Sequence, residues 1–182
     1  VAAEQNVFIK KHSVFKDWKE DTERSLNLCY AHDAKYWKIK KICKTHETYA
    51  SVVDLLRLRY TELKEIFTGI AIRSGDPPDI KKKQFFNFCH EAGIIDKSIH
   101  SGIVDTYFKA TNFEETDQDN NDDNAIIRFE FFEILVRLAK GKYTDFGHDK
   151  KMNISYACMK LFQEHIFPMR AKLYPLQSWR EE

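Results

Sequence analysis

Apolar residues recur at helical spacing through most of the chain. Phe8, Phe15, Trp18, Leu26, Cys29 and Tyr30, with Lys and Glu between them, predict helix from residue 7 to about 31, and Ser25 is a candidate cap for a new segment. A further helix over Lys35–Lys44 would put Ile39, Ile42 and Cys43 on one face and lysines on the other. From Thr48 to Ile72 a 3-and-4 rhythm through Val52, Val53, Leu55, Leu56, Leu58, Tyr60, Leu63, Ile66, Phe67 and Ile70 predicts one long helix. Ser74-Gly75-Asp76-Pro77-Pro78 breaks it. A short helix through Phe85 and Phe88 follows and stops near Gly93, a fitting left-handed C′ residue. Asp96 or Ser98 is placed to cap the next helix, from about Ile99 to Ala110. Ile126 leads into an apolar helix through Leu138, Gly141–Lys151 reads as loop, and Ile154–Ile166 is a last helix closed by Pro168. The tail Leu173–Trp179 is apolar and irregular and is expected to dock.

The fold class is therefore all-α, with almost no strand signal beyond Pro78–Lys81 and Ala125–Ile127. Hydrophobic residues make up 43% of the 182 positions, enough to bury a core, which excludes a disordered chain. The 29 basic residues nearly balance 28 acidic ones, so charge gives no reason to expect nucleic acid. No apolar run approaches the roughly 18–20 residues of a membrane span. The chain opens on Val1-Ala2-Ala3-Glu4, without an initiator Met or the apolar run of a signal peptide, and reads as an internal start. The four cysteines then read as free, buried thiols of a reducing interior.

Two helix–loop–helix units follow one another, over Tyr60–Gly93 and Ile99–Lys140. Each carries an Ile a few residues before a helix that opens with Phe: Ile80 before Phe85, and Ile126 before Phe131. This resembles a pair of EF-hands, in which the eighth residues of two twelve-residue loops meet in a short antiparallel bridge. The resemblance implies that Ile80 and Ile126 form that bridge. It divides the chain into an N-terminal helical extension (1–47), an EF-hand-like pair (48–142), and a C-terminal helix with a docking tail (143–182).

Ca²⁺ takes six to eight hard oxygens, supplied in this loop by positions 1, 3, 5 and 12 and by the backbone at 7. With Ile80 at position 8, the first loop presents Arg73, Gly75, Pro77 and Gln84 at positions 1, 3, 5 and 12, with no carboxylate among them. This loop is not expected to bind Ca²⁺. Counting back from Ile126 gives the second loop Asp119, Asn121, Asp123 and Glu130, a near-ideal ligand set. The helix that would enter it is polar at Gln118, Glu115, Glu114 and Thr111, whereas a start at Asn112 finds apolar Phe108, Tyr107 and Val104 behind it. The simplest reading is a loop expanded by seven residues, costly to order around an ion. Use of the pair without metal is the favoured expectation.

Cys29, His32, Cys43 and His46 have the donor types of a zinc site. A helix over the ten intervening residues would hold the two pairs about 20 Å apart, which argues against zinc. Cys89 and His90 are sequence neighbours, so their side chains diverge on a helix and do not form a nucleophile–base pair. No phosphate-binding Gly loop or hydrolase motif is present, and no enzyme is expected.

The segment Phe85–Leu138, with Phe85-Phe86-Asn87-Phe88-Cys89, Ile103-Val104-Asp105-Thr106-Tyr107-Phe108 and Phe129-Glu130-Phe131-Phe132, is similar to calcium-independent EF-hand modules of cytoskeletal proteins. These include the tubulin polymerisation-promoting family and EF-hand-like subunits of cilia and flagella. The resemblance implies a non-enzymatic adaptor in the cytoplasm, binding a protein partner such as tubulin or microtubules in a cytoskeletal or axonemal assembly. Candidate partner contacts are Phe67, Phe85, Phe88, Phe108, Phe132, Leu135 and Trp179, with plain core as the competing assignment. The alternative function is a calcium sensor using Asp119, Asn121, Asp123 and Glu130.

Overall fold

The first well-defined helix, α1 (Glu23–Tyr36), is set by its cap: Thr22 Oγ1 accepts from the Ser25 amide at 3.2 Å, and Ser25 Oγ accepts from the Thr22 amide at 2.9 Å. Thr22 is thus the N-cap, and Ser25, the predicted cap, is its reciprocal partner three residues on. The computed structural model describes residues 10–14, 16, 17, 21–74, 79–113 and 124–173. Phe8, Phe15, Trp18 and the expected start of a helix at residue 7 lie outside them, and Lys10–His12 forms a short 3₁₀ turn.

Beyond Tyr36 the chain does not continue as the helix predicted over Lys35–Lys44. Trp37 turns extended (φ −63°, ψ 127°) and a 3₁₀ turn occupies Ile39–Lys41. Burying Trp37 beside Ile39, Ile42 and Cys43 is what competes with helical continuation. The three residues predicted to share an apolar face are all buried, by way of a tighter turn.

The long helix predicted over Thr48–Ile72 is two helices, α2 (His46–Leu58) and α3 (Tyr60–Ser74), with Arg59 leaving helical geometry between them (φ −106°, ψ 14°). No Gly or Pro sits there. The cause is tertiary: α2 packs on the C-terminal helix α7 (Ile154–Leu161), while α3 packs on α4 (Lys82–Glu91) and α6 (Arg128–Lys140). The hydrogen bonds Arg59 N to Leu55 O (3.0 Å) and Leu63 N to Arg59 O (3.1 Å) bracket the break.

Strand β1 (Ile80–Lys81) feeds α4, which ends at Gly93 in the left-handed region (φ 67°), with the Ile94 amide bonded back to Cys89 O at 2.9 Å. Asp96 does not cap the next helix. Its Oδ1 accepts from the amides of Ser98 (2.8 Å) and Ile99 (3.0 Å), closing a turn two residues before α5 (Ser101–Asn112) begins. Strand β2 (Ala125–Ile126) leads into α6. The predicted loop after Gly141 starts instead as a π turn over Gly141–Asp145. A Cβ at Gly141 would lie 2.5 Å from Tyr107 Oη, so the absent side chain is what lets α5 seat its tyrosine there. After α7 come a π turn (Phe162–Ile166), a 3₁₀ turn containing Pro168 (Phe167–Met169) and the short α8 (Arg170–Leu173).

The described chain is mainly helical, and its one sheet is the β1–β2 pair. A single hydrophobic core runs from Trp37 to Leu173, across the expected boundaries at 47/48 and 142/143. At its centre α6 buries Phe131, Phe132, Ile134, Leu135, Val136 and Leu138 between α5 and α7.

Candidate functional site at the bridge between two helix pairs

Strands β1 and β2 run antiparallel, with Ile80 opposite Ile126 and Lys81 opposite Ala125. Both isoleucines are fully buried, and the Lys82 amide donates to Asn124 O at 2.7 Å beside them. The bridge ties the α3–β1–α4 unit to the α5–β2–α6 unit. The two residues that the resemblance set face to face are Cα partners.

Of the four calcium candidates, Asp119, Asn121 and Asp123 lie outside the described residues. Glu130 lies within them, fully buried on the first turn of α6, where its Oε2 accepts from the Ile127 amide at 3.0 Å. It caps its own helix, satisfying a donor that the helix start would leave orphaned. In the first loop, Gly75, Pro77 and Pro78 are outside the described residues. Arg73, at the first ligand position, donates from Nη2 to Lys172 O of α8. Gln84, at the last, has a buried Oε1 with no hydrogen-bond partner among the described residues.

The zinc candidates do not converge. Cys29 and His32 lie on α1, Cys43 is buried beyond the 3₁₀ turn, and His46 is exposed at the start of α2. His32 Nδ1 sits 3.3 Å from Asp33 Oδ1. Among the described residues, no three His, Cys, Asp or Glu side chains are grouped to hold a metal ion. Cys89 is sealed in the core, where burial pushes its thiol pKa up, while His90 is exposed.

The candidate partner contacts need correction. Phe67, Phe85, Phe88, Phe108, Phe132 and Leu135 are all core, and none offers a surface to a second protein in this state. The chain fills its own groove. Phe85 meets Phe108 (ring centroids 5.9 Å apart), Phe67 meets Phe131 (5.6 Å), and Phe132 is stacked on Tyr60 (5.2 Å) and covered by Trp37 (5.8 Å). Helix α7 closes the other side of α6. Trp179 and the tail from 174 lie outside the described residues.

Three polar junctions, two buried and one half-exposed, pair distant segments with no signature of the pairing in the local sequence. Asp33, on α1, receives Arg128 Nε (2.7 Å) and Nη2 (3.0 Å) from α6 and Tyr60 Oη (2.7 Å) from α3. Burial, then the bond to this carboxylate, pushes the Tyr60 pKa up. Glu133, fully buried, accepts from the Lys38 amide (3.0 Å) and from Arg137 Nη2 (2.7 Å). Lys38 Nζ in turn bonds Thr111 O (2.7 Å) and Phe113 O (2.8 Å), capping the end of α5. Lys142 reaches Ile94 O at 3.0 Å and the Asp96 carboxylate. The sequence signal for the first two was an acid inside an apolar helical stretch, which must be paired when buried. Its partner, 95 positions away for Asp33 and Arg128, has no local signature.

These junctions fasten flanking segments to the helix pair. No helix among the described residues is long and apolar enough to cross a membrane. Comparison with models of known protein families, with characterised proteins and with solved structures found no match.

Proposed function

We propose that this chain is a non-enzymatic adaptor: an EF-hand-like helix–loop–helix pair that holds a protein partner in a cytoskeletal or axonemal assembly, largely without calcium. The observation that carries the reading is the Ile80–Ile126 bridge, which joins two consecutive helix–loop–helix units through the two residues that the EF-hand resemblance pairs. Two features favour work without metal. The first loop has a cation at position 1 and an amide at position 12, where Ca²⁺ needs carboxylates. In the second, Glu130 already serves as a helix cap.

A calcium sensor opens its helix pair to expose an apolar groove. Here Trp37, Tyr60 and α7 occupy that face, so opening would have to expose a packed aromatic core to water. The partner therefore takes an outer surface of the closed form. The cytoskeletal assignment, with tubulin as the first partner to try, rests on the sequence resemblance.

The test is cosedimentation of the intact chain with stabilised microtubules, in EGTA and in millimolar Ca²⁺. Equal pelleting in both supports the proposal. Pelleting only with Ca²⁺ makes the chain a sensor, and no pelleting in either removes the microtubule as partner.

A further inference from the structure

Near-neutral overall, with 29 basic and 28 acidic residues, the chain is not evenly charged. Four lysines from three separate segments line one cavity of about 420 Å³: Lys44 ahead of α2, Lys140 at the end of α6, and Lys150 and Lys151 ahead of α7. That volume falls among small-ligand sites, roughly 300–1,000 Å³. The lining holds one carboxylate, Asp145, which Lys140 Nζ already engages at 2.7 and 2.5 Å. Lys44, Lys150 and Lys151 form no ion pair among the described residues. Glu47 and Asp149 are near in sequence but do not line the cavity, and Asp149 Oδ1 accepts from the Lys151 amide at 3.1 Å.

Three ammonium groups brought to one concavity repel one another, and nothing else in the lining neutralises them. The remaining polar lining is neutral: the hydroxyls of Thr45, Thr48 and Thr144, and Asn153. Thr45 and Asn153 are also the N-caps of α2 and α7, so both helices point their positive ends at the same space. The dipoles add to a site that the lysines define.

We propose that this cleft binds a compact, multiply charged phosphate group, with Lys44, Lys150 and Lys151 as its counter-charges and the Thr48 hydroxyl as a neutral donor, the Thr45 and Thr144 hydroxyls already donating to Thr48 Oγ1 and to Lys140 O. Such a ligand would bridge the starts of α2 and α7 to the end of α6 and hold α7 against the pair. The proposal does not depend on the calcium-free or microtubule reading.

Amide NMR shifts of the intact chain, titrated at constant ionic strength, test it. Inorganic pyrophosphate stands for a free polyphosphate and O-phosphoserine for a phosphorylated side chain. Saturable shifts centred on residues 44–48, 140–145 and 150–155 are expected with at least one probe, and the tighter probe identifies the source. Lys44→Gln with Lys151→Gln removes two exposed, unpaired charges and should weaken binding about tenfold. Lys11→Gln with Lys35→Gln, the same charge change elsewhere, should leave it unchanged. Shifts that do not saturate, or equal weakening by the two double variants, would reduce the cleft to non-specific screening and overturn the proposal.

Discussion

Replacing Asp33 with Ala removes the acceptor that joins α1, α3 and α6. Asp33 is 1% exposed and Arg128 27%, so the pair is buried at one end and partly hydrated at the other. Breaking a buried ion pair costs about 3–5 kcal/mol, most of it from the charge left behind. Water can still reach the Arg128 guanidinium, which places the expected loss near the low end, about 3 kcal/mol. The stranded Tyr60 hydroxyl adds about 1 kcal/mol. With a urea slope of about 2 kcal/mol per molar, the unfolding midpoint should fall by about 2 M. The cause is separable from lost packing. Asp33→Leu with Arg128→Met replaces both charges by apolar groups and should recover most of the loss, because the uncompensated charge is gone. Adding Tyr60→Phe should recover more. Urea denaturation followed by circular dichroism reads all of these. A loss under about 1 kcal/mol for Asp33→Ala, or a double variant no better than the single, would refute the assignment of Asp33 as the junction.

Two further outcomes are expected. Burial alone would raise the Asp96 pKa, but the bonds from Lys142, Ser98 and the Ile99 amide outweigh it and hold the carboxyl well below the usual carboxylate range. A carboxyl depressed in the folded state stabilises above its unfolded pKa of about 3.9 and loses that contribution as pH falls through the folded value. Stability should therefore decline below about pH 4, and Lys142→Met should flatten that decline and raise the Asp96 midpoint in a carboxyl NMR titration. Burial also raises the thiol pKa of Cys43, Cys89 and Cys158, while Cys29 is half-buried. A thiol reagent should modify Cys29 alone in the native protein and the other three only after unfolding; fast native modification of any of those three would contradict their burial.

Features fixed by local chemistry were legible in the chain. Gly93 ends α4 because the backbone needs a positive φ there, and Ile80 and Ile126, each five residues ahead of a Phe on the following helix, pair with each other. What escaped was decided by tertiary packing. Periodicity runs unbroken through Arg59, yet α2 and α3 part there because each has a different partner, leaving Leu58 69% exposed. Trp37 ends α1 without Gly or Pro because its ring is buried beside Phe132. The aromatic set read as a partner groove and the same set read as core have identical sequence signatures. Only the position of Trp37, Tyr60 and α7 separates them, and none of these is near in sequence to Phe132. For the same reason Glu130 looked like a ligand: an acid three residues past a helix start serves equally as position 12 of a calcium loop and as a cap.

Titration calorimetry of the intact chain with Ca²⁺, beside an Asp119→Ala/Glu130→Gln variant, tests the central claim most directly. The account predicts no saturable heat up to millimolar Ca²⁺ in either protein. Micromolar binding that the variant loses would show that Glu130 leaves its cap for an ion, and the chain would be a one-site calcium sensor.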